Sequence, residues 1–365
     1  MQITRRHALA LGLAALAAPA LPRGLAAQGL AVAPVARGLD EPWGLAFLPG
    51  GGFLVTERAG RLSLFDGPGA PARRIGGVPQ AWVQGQGGLL DVMVPRDFAA
   101  SRLLWLTLAL PGQGGASTGL VRARLSDDGT QLTDAVTVHS GPAAGRGQHF
   151  GSRAVEAPDG HVFLTTGDRG QPALAQAPAR PEGKVLRFAR DGTPAPAPAL
   201  AGGGAVPGLW SLGHRNIQGA ALDGQGQLWT VEHGARGGDE VNRIEPGRNY
   251  GWPVISYGRN YNGSPIGVGT ARDGLEQPAH YWDPSIAPSG LVVHSGRGIP
   301  AWRGHFLTGS LNADHIARLD PAAGWQETRI GSAETQRVRD VREAPDGSVW
   351  FLSVGRGAVF RLAPA

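Results

Sequence analysis

Between residues 213 and 253 the sequence concentrates groups that can bind anions, move protons or hold a cation. His214, Arg215 and Asn216 come first, and Glu232-His233-Gly234 follows a strand-like run. Asp239-Glu240 comes next, and Asn249-Tyr250-Gly251-Trp252-Pro253 ends the stretch. Residues 220–231 read as two short strands across Asp223-Gly224, a dipeptide that tolerates tight hairpin turns. The polar groups therefore fall at strand ends, where a rigid sheet presents chemistry. Asp239 and Glu240 ahead of Asn249-Tyr250 suggest a calcium site, built from carboxylates and from carbonyls freed by the glycines of 232–238; a solvated acidic loop is the competing reading.

A second set lies in other repeats. Gln148-His149-Phe150-Gly151-Ser152-Arg153 opens a strand, and the segment after it ends in Thr166-Gly167-Asp168. An antiparallel hairpin returns that end to its start, so Asp168 is expected beside His149. A carboxylate there fixes the imidazole tautomer and raises its basicity, which suits a general base; a purely structural histidine is the alternative. Arg337 and Arg339, spaced by two, are expected on one strand face, where forked guanidinium groups could grip a carboxylate. Common fingerprints are missing: there is no Walker loop, no Gly-x-Gly-x-x-Gly opening a βαβ unit and no His-Glu-x-x-His. Gly115-Ala116-Ser117-Thr118-Gly119 has the letters of a nucleophile elbow without a helix to follow it.

The elements that must position these groups repeat. Trp43 to Pro49, a Gly turn, Phe53 to Glu57, another turn and Gly60 to Gly67 form one unit of short strands. The same grammar returns around 152–188, 218–244 and 341–362, with weaker copies at 87–125 and 290–319. With 58 Gly and 29 Pro among 365 residues, the pattern predicts an all-β fold, a six-bladed β-propeller of four-stranded antiparallel blades, over an irregular sandwich. Residues 29–365 are read as a single domain, with 171–182 and 193–208 as long loops over one mouth of the ring. Residues 1–28, with Arg5-Arg6, an apolar run over 8–20 and small residues at 26–27, read as an export signal, of twin-arginine or ordinary type. That places the mature chain in the periplasm or outside the cell, with no other stretch able to span a membrane. The absence of cysteine excludes disulfides and thiolate sites, and the net charge of +5 comes from scattered arginines, which gives no track for nucleic acid.

Eight motifs in order resemble the glucose/sorbosone dehydrogenase family, in its branch of soluble pyrroloquinoline quinone (PQQ)-dependent aldose sugar dehydrogenases. They are Leu39-Asp40-Glu41-Pro42-Trp43-Gly44-Leu45, Gly85-Gln86-Gly87-Gly88-Leu89-Leu90-Asp91, Gln148 to Arg153, Thr166-Gly167-Asp168-Arg169-Gly170, Gly213-His214-Arg215-Asn216, Glu232 to Glu240, Asn249 to Pro253 and Gln336 to Val341. The resemblance spans 40–362 and implies oxidation of an aldose to a lactone, with electrons passed on to a soluble acceptor. It implies His149 as the base, Asp168 as its orienting partner and Arg215 facing the quinone. Gln86, Asn216 and Tyr261 would hold the cofactor, and Arg337 and Arg339 its carboxylates. One calcium would take the carbonyls of Gly234 and Ala235, and a second would use Glu240 and Tyr250. Two positions depart from the family: Ala235 replaces a proline, and Asn312 stands where a cofactor-contacting lysine is expected. The rival readings are a calcium-dependent propeller lactonase, which needs side-chain carboxylates on the central axis, and a propeller that only binds.

Overall fold

The computed structural model of the chain describes residues 29–198 and 204–365, so the export-signal reading of 1–28 lies outside the described residues. The repeats form six four-stranded antiparallel sheets, and the innermost strand of each touches those of its two neighbours, closing a β-propeller. Five blades are continuous in sequence, at 42–75, 89–140, 151–212, 217–282 and 288–330. The sixth combines Val338–Glu343, Val349–Ser353 and Ala358–Pro364 with Leu30–Arg37 as its outermost strand, paired at Val32 to Leu362. The repeat as read from residue 40 onward omitted this closing strand, because one isolated strand carries no repeat of its own.

Second strands such as Phe53–Glu57, Val162–Thr166 and Val349–Ser353 are buried along their whole length. Blades stack on both of their faces, so these strands read as continuous apolar-and-Thr runs without polar alternation. A separate apolar cluster fills each junction between blades, for example Leu54, Leu64, Leu89 and Leu106 between the first and second. The ring is thus one continuous chain of cores in which no blade is covered without its neighbours.

Every innermost strand breaks register at the same level, between Pro42 and Gly44 in the first blade and between Val338 and Asp340 in the sixth. In the first three blades a threonine of the next strand catches the N–H exposed there: Thr56 for Gly44 (2.8 Å), Thr107 for Asp91 (2.8 Å) and Thr165 for Arg153 (2.9 Å). At this level the channel holds Gly44, Asp91, Arg153, Gly219, Gly290 and Asp340. The glycines make room for the charges: a Cβ on Gly290 would lie 2.0 Å from Asp340 Oδ1, and one on Gly44 2.9 Å from Asp91 Oδ1.

Connections from second to third strands and from one blade to the next open at a single mouth. The 171–182 loop lies there. Of the second loop, residues 193–198 start at the opposite end, against the expectation from sequence, and residues 204–208 come back to the mouth loop. The loop joins Lys184–Phe188 to Leu209–Leu212 and so leaves from the opposite end of the blade, reaching Pro178 O through Val206 N–H at 2.9 Å. Its Pro and Ala content marks a loop but carries no information about which end it serves. Residues 244–279 also leave from the far end, then climb the outside to the mouth, where Trp252 N–H donates to Gly213 O at 2.9 Å.

Candidate active site

The floor of the mouth is an ionic plug. Arg153, 1% exposed, lies 3.1 Å from Asp91 and 3.2 Å from Asp340. It also donates to the carbonyls of Gln218 (2.7 Å) and Arg339 (3.1 Å) and sits 4.2 Å from the Trp43 ring centroid. One side chain thereby touches four other blades, which puts it on the axis. Arg342 completes the plug from below, 3.1 Å from Asp91 and 3.0 Å from Asp340.

Above the plug lies a cavity of about 410 Å³, lined by Trp43, Gln86, Asn216, Asn312, Arg337 and Arg339 among others. His149 stands at its edge with φ 53°, on the link before Gly151–Glu156, and its N–H donates to Gln86 Oε1 at 2.7 Å. The hairpin brings Asp168 to it: His149 Nδ1 and Asp168 Oδ1 are 2.6 Å apart. Asp168 is fully buried and also accepts from Gly170 N–H (2.7 Å) and from the Trp252 indole (2.9 Å). With Nδ1–H given to Asp168, the Nε2 lone pair is the free end of the ring, and it has no partner among the described residues.

The rest of the cavity wall is rich in donors. The Oε1 of Gln86 is taken by His149 N–H, and the Oδ1 of Asn216 by Gly151 N–H (3.1 Å) and Gln218 (3.1 Å). Each therefore turns an unpartnered NH₂ outward. Arg337 and Arg339 have no carboxylate within ion-pair distance among the described residues; Arg337 donates to Leu311 O at 3.2 Å, and Arg339 donates to Gln218 Oε1 at 2.8 Å and lies 5.5 Å from the Trp43 ring centroid. Burial first, then the charges of Arg153 and Arg337, pull the Arg339 guanidinium down to about 9. These two arginines reach the cavity by a route other than strand alternation. Arg337 precedes the strand at φ 49°, and the register break follows between Val338 and Asp340. Arg215 is 5% exposed; it donates to the carbonyls of Gly234 and of His233 (3.2 Å), while its buried Nε has no partner. Tyr261 is 74% exposed and stands on the rim, its hydroxyl 3.4 Å from Arg215 Nη2. Asn312 is on the wall, donating to Ser285 O at 3.0 Å. A wall with this excess of donors suits a planar polyanion rich in acceptors.

The candidate cation oxygens divide into two groups. Gly234 and Ala235 lie in a turn that only glycine permits, since a Cβ on Gly234 would come 2.1 Å from Gly237 O. That turn already directs the Gly234 carbonyl at a positive charge, the Arg215 guanidinium. Glu240 lies directly across the sheet from Glu232, and burial, then that neighbouring carboxylate, push it up to about 8. Asn242 Nδ2 donates to both at 3.1 Å, and Glu232 also accepts from Arg215 N–H at 2.7 Å, so of the two only Glu240 keeps an oxygen without a donor among the described residues. Tyr250 stacks on His214 (4.6 Å), which in turn bonds Glu232 at 2.9 Å. Its hydroxyl is spent on Arg243 O (2.5 Å) and Glu245 N–H (2.8 Å), so only its main-chain carbonyl is available to a metal. Asp239 drops out of the cation reading. Its two oxygens accept from Gly234 N–H, Ser285 Oγ, Ile286 N–H and Ala287 N–H, at 2.7–2.9 Å, stapling one loop to the next blade.

Sequence reasoning missed Arg153, Asp91 and Asp340 as a unit, and Trp252 as a partner of Asp168. A lone charge in the otherwise apolar strand Leu89–Met93 was the signal available for Asp91, whereas Arg153 and Asp340 stand in innermost strands that carry other polar residues. Nothing local marks the fourth, which arrives from a different blade.

The glucose/sorbosone dehydrogenase family model matches residues 39–361. An aldose sugar dehydrogenase of Escherichia coli is 38% identical over 336 residues, covering 89% of this chain and 91% of the relative. A glucose dehydrogenase crystal structure superposes with a TM-score of 0.87 at 40% identity, covering 92% of this chain and 99% of the other. The PQQ-bound aldose sugar dehydrogenase of Streptomyces coelicolor superposes with a TM-score of 0.76 at 27% identity, covering 92% and 98%.

Proposed function

The chain belongs to the glucose/sorbosone dehydrogenase family, and on that premise we propose that it oxidises aldose sugars to lactones with PQQ as resident cofactor and calcium beside it. The observation that carries this reading is the donor-rich cavity wall set beside a histidine whose outer nitrogen is free. PQQ is a flat acceptor-rich tricarboxylate, and Arg337 and Arg339, which have no carboxylate partner among the described residues, match that chemistry together with the amide NH₂ groups of Gln86 and Asn216 and with Tyr261 at the rim. When bound, the quinone would supply the acceptor for hydride from the anomeric carbon, and calcium the Lewis acid that polarises it.

The chain's own residues do the remaining work. His149 Nε2 takes the proton of the anomeric hydroxyl. Asp168 holds Nδ1–H in place and stabilises the imidazolium that results, without itself taking the proton. Arg215 keeps a fixed positive charge at the edge of the cavity, where anionic charge is held best in a site shielded from water. One calcium would be held by the carbonyls of Gly234 and Ala235, and a structural one by Glu240 and the Tyr250 carbonyl. The lactonase reading needs free axial carboxylates, and those on this axis, Asp91 and Asp340, are each bound by two guanidinium groups. From the pattern of residues 1–28 we place the mature protein in the periplasm or outside the cell, passing electrons to a soluble acceptor.

Reconstitution tests the reading. Cofactor-free protein is given calcium, PQQ, or both, and dye reduction is followed over a panel of aldoses. Turnover that appears only with both is the expected result; no turnover, and no change in the quinone spectrum, would sink it. Asn312→Lys is expected to tighten PQQ binding about tenfold, because an ammonium would join the two arginines on the wall. A spectral titration reads this directly.

A further inference from the structure

Trp252 touches three groups to which the proposed reaction gives roles. Its indole Nε1–H donates to Asp168 Oδ2 at 2.9 Å, while the other oxygen of the same carboxylate holds His149 at 2.6 Å. The Arg215 guanidinium lies 5.3 Å from its ring centroid, and Ala235 packs against it in a small cluster with Ala175 and Ile266. The residue is 9% exposed and held at both main-chain ends: N–H to Gly213 O at 2.9 Å, and carbonyl to Gln176 Nε2 at 2.7 Å. Behind it, Ala175 is fixed by the chain's single lysine. Lys184 Nζ donates to the carbonyls of Leu174 (2.9 Å), Ala175 (2.9 Å) and Glu182 (2.6 Å).

Resting on the assignment of His149 as general base, we propose that Trp252 is the positioning residue for that base, acting through Asp168. The two oxygens of Asp168 are unequally served. Oδ1 accepts from His149 and Gly170, whereas among the described residues Oδ2 has the indole alone. The indole bond therefore fixes the rotation of the carboxylate, and with it the tautomer and direction of the imidazole. It also draws negative charge away from the oxygen facing His149.

Trp252→Phe removes the N–H and keeps an aromatic ring against Arg215 and Ala175. The expected result is a fall in kcat of about tenfold, with sugar KM and PQQ affinity within about twofold. A second readout needs no cofactor: the downfield proton resonance of His149 Nδ1–H, identified by its loss in Asp168→Asn, should shift in Trp252→Phe. An unchanged kcat and resonance would overturn the proposal. So would a kcat loss accompanied by lost PQQ affinity and an unmoved resonance, since Trp252 would then act through Arg215. If the wild-type chain itself showed no turnover, the resonance would still decide: a shift supports the positioning, and an unmoved signal overturns it.

Discussion

His149→Asn is expected to lower turnover of the reconstituted protein about a thousandfold, while PQQ affinity and stability stay close to wild type. Asparagine is preferable to alanine here because His149 sits at φ 53°, a left-handed conformation that asparagine adopts with little strain. Its main-chain N–H can still reach Gln86, and its amide can still donate to Asp168, so the buried carboxylate is not orphaned. What is lost is the lone pair on Nε2. The general-base step then falls to water, while the cavity wall that binds the cofactor is untouched. Steady-state dye reduction beside a PQQ titration separates the two effects. Full turnover in this variant would remove His149 from the mechanism.

What the sequence made legible, and what it did not, follows from how far each feature reaches along the chain. The blades were legible because each is a local repeat of short strands and Gly turns. The His149–Asp168 pair could be anticipated because one hairpin spans it. The motif around 213–253 named Arg215, Asn216 and the 234–238 turn because all three lie on connections of a single blade. Features assembled across blades stayed hidden. Leu30–Arg37 belongs to a blade whose other strands begin at residue 338. Trp252 reaches Asp168 only because the 244–279 connection climbs the outside of the ring. Arg337 and Arg339 were expected on one strand face, but a left-handed residue and a bulge stand where strand alternation was expected. Asp239 looked like a ligand beside Glu240 until the four donors that consume it were visible.

Arg153→Leu is expected to cost about 3–5 kcal/mol of stability, the range for removing one partner from a buried ion pair. Arg153 is the single group touching both Asp91 and Asp340 from above, and both carboxylates are fully buried. After the substitution Arg342 would be the one guanidinium facing the two, and the like charges would repel across a buried channel. Burial already pushes the Asp91 carboxyl up, and the charges of Arg153 and then Arg342 oppose that push. Losing Arg153 therefore raises it further. A carboxyl with a raised folded-state value is best tolerated when protonated, so the deficit should narrow as pH falls and widen as pH rises. Asp91→Asn in the same background should recover part of the loss at neutral pH. Urea unfolding at several pH values measures all three. A deficit that is the same at every pH, and that Asp91→Asn does not relieve, would mean that Arg153 stabilises the ring by packing against Trp43 and not by balancing charge on the axis.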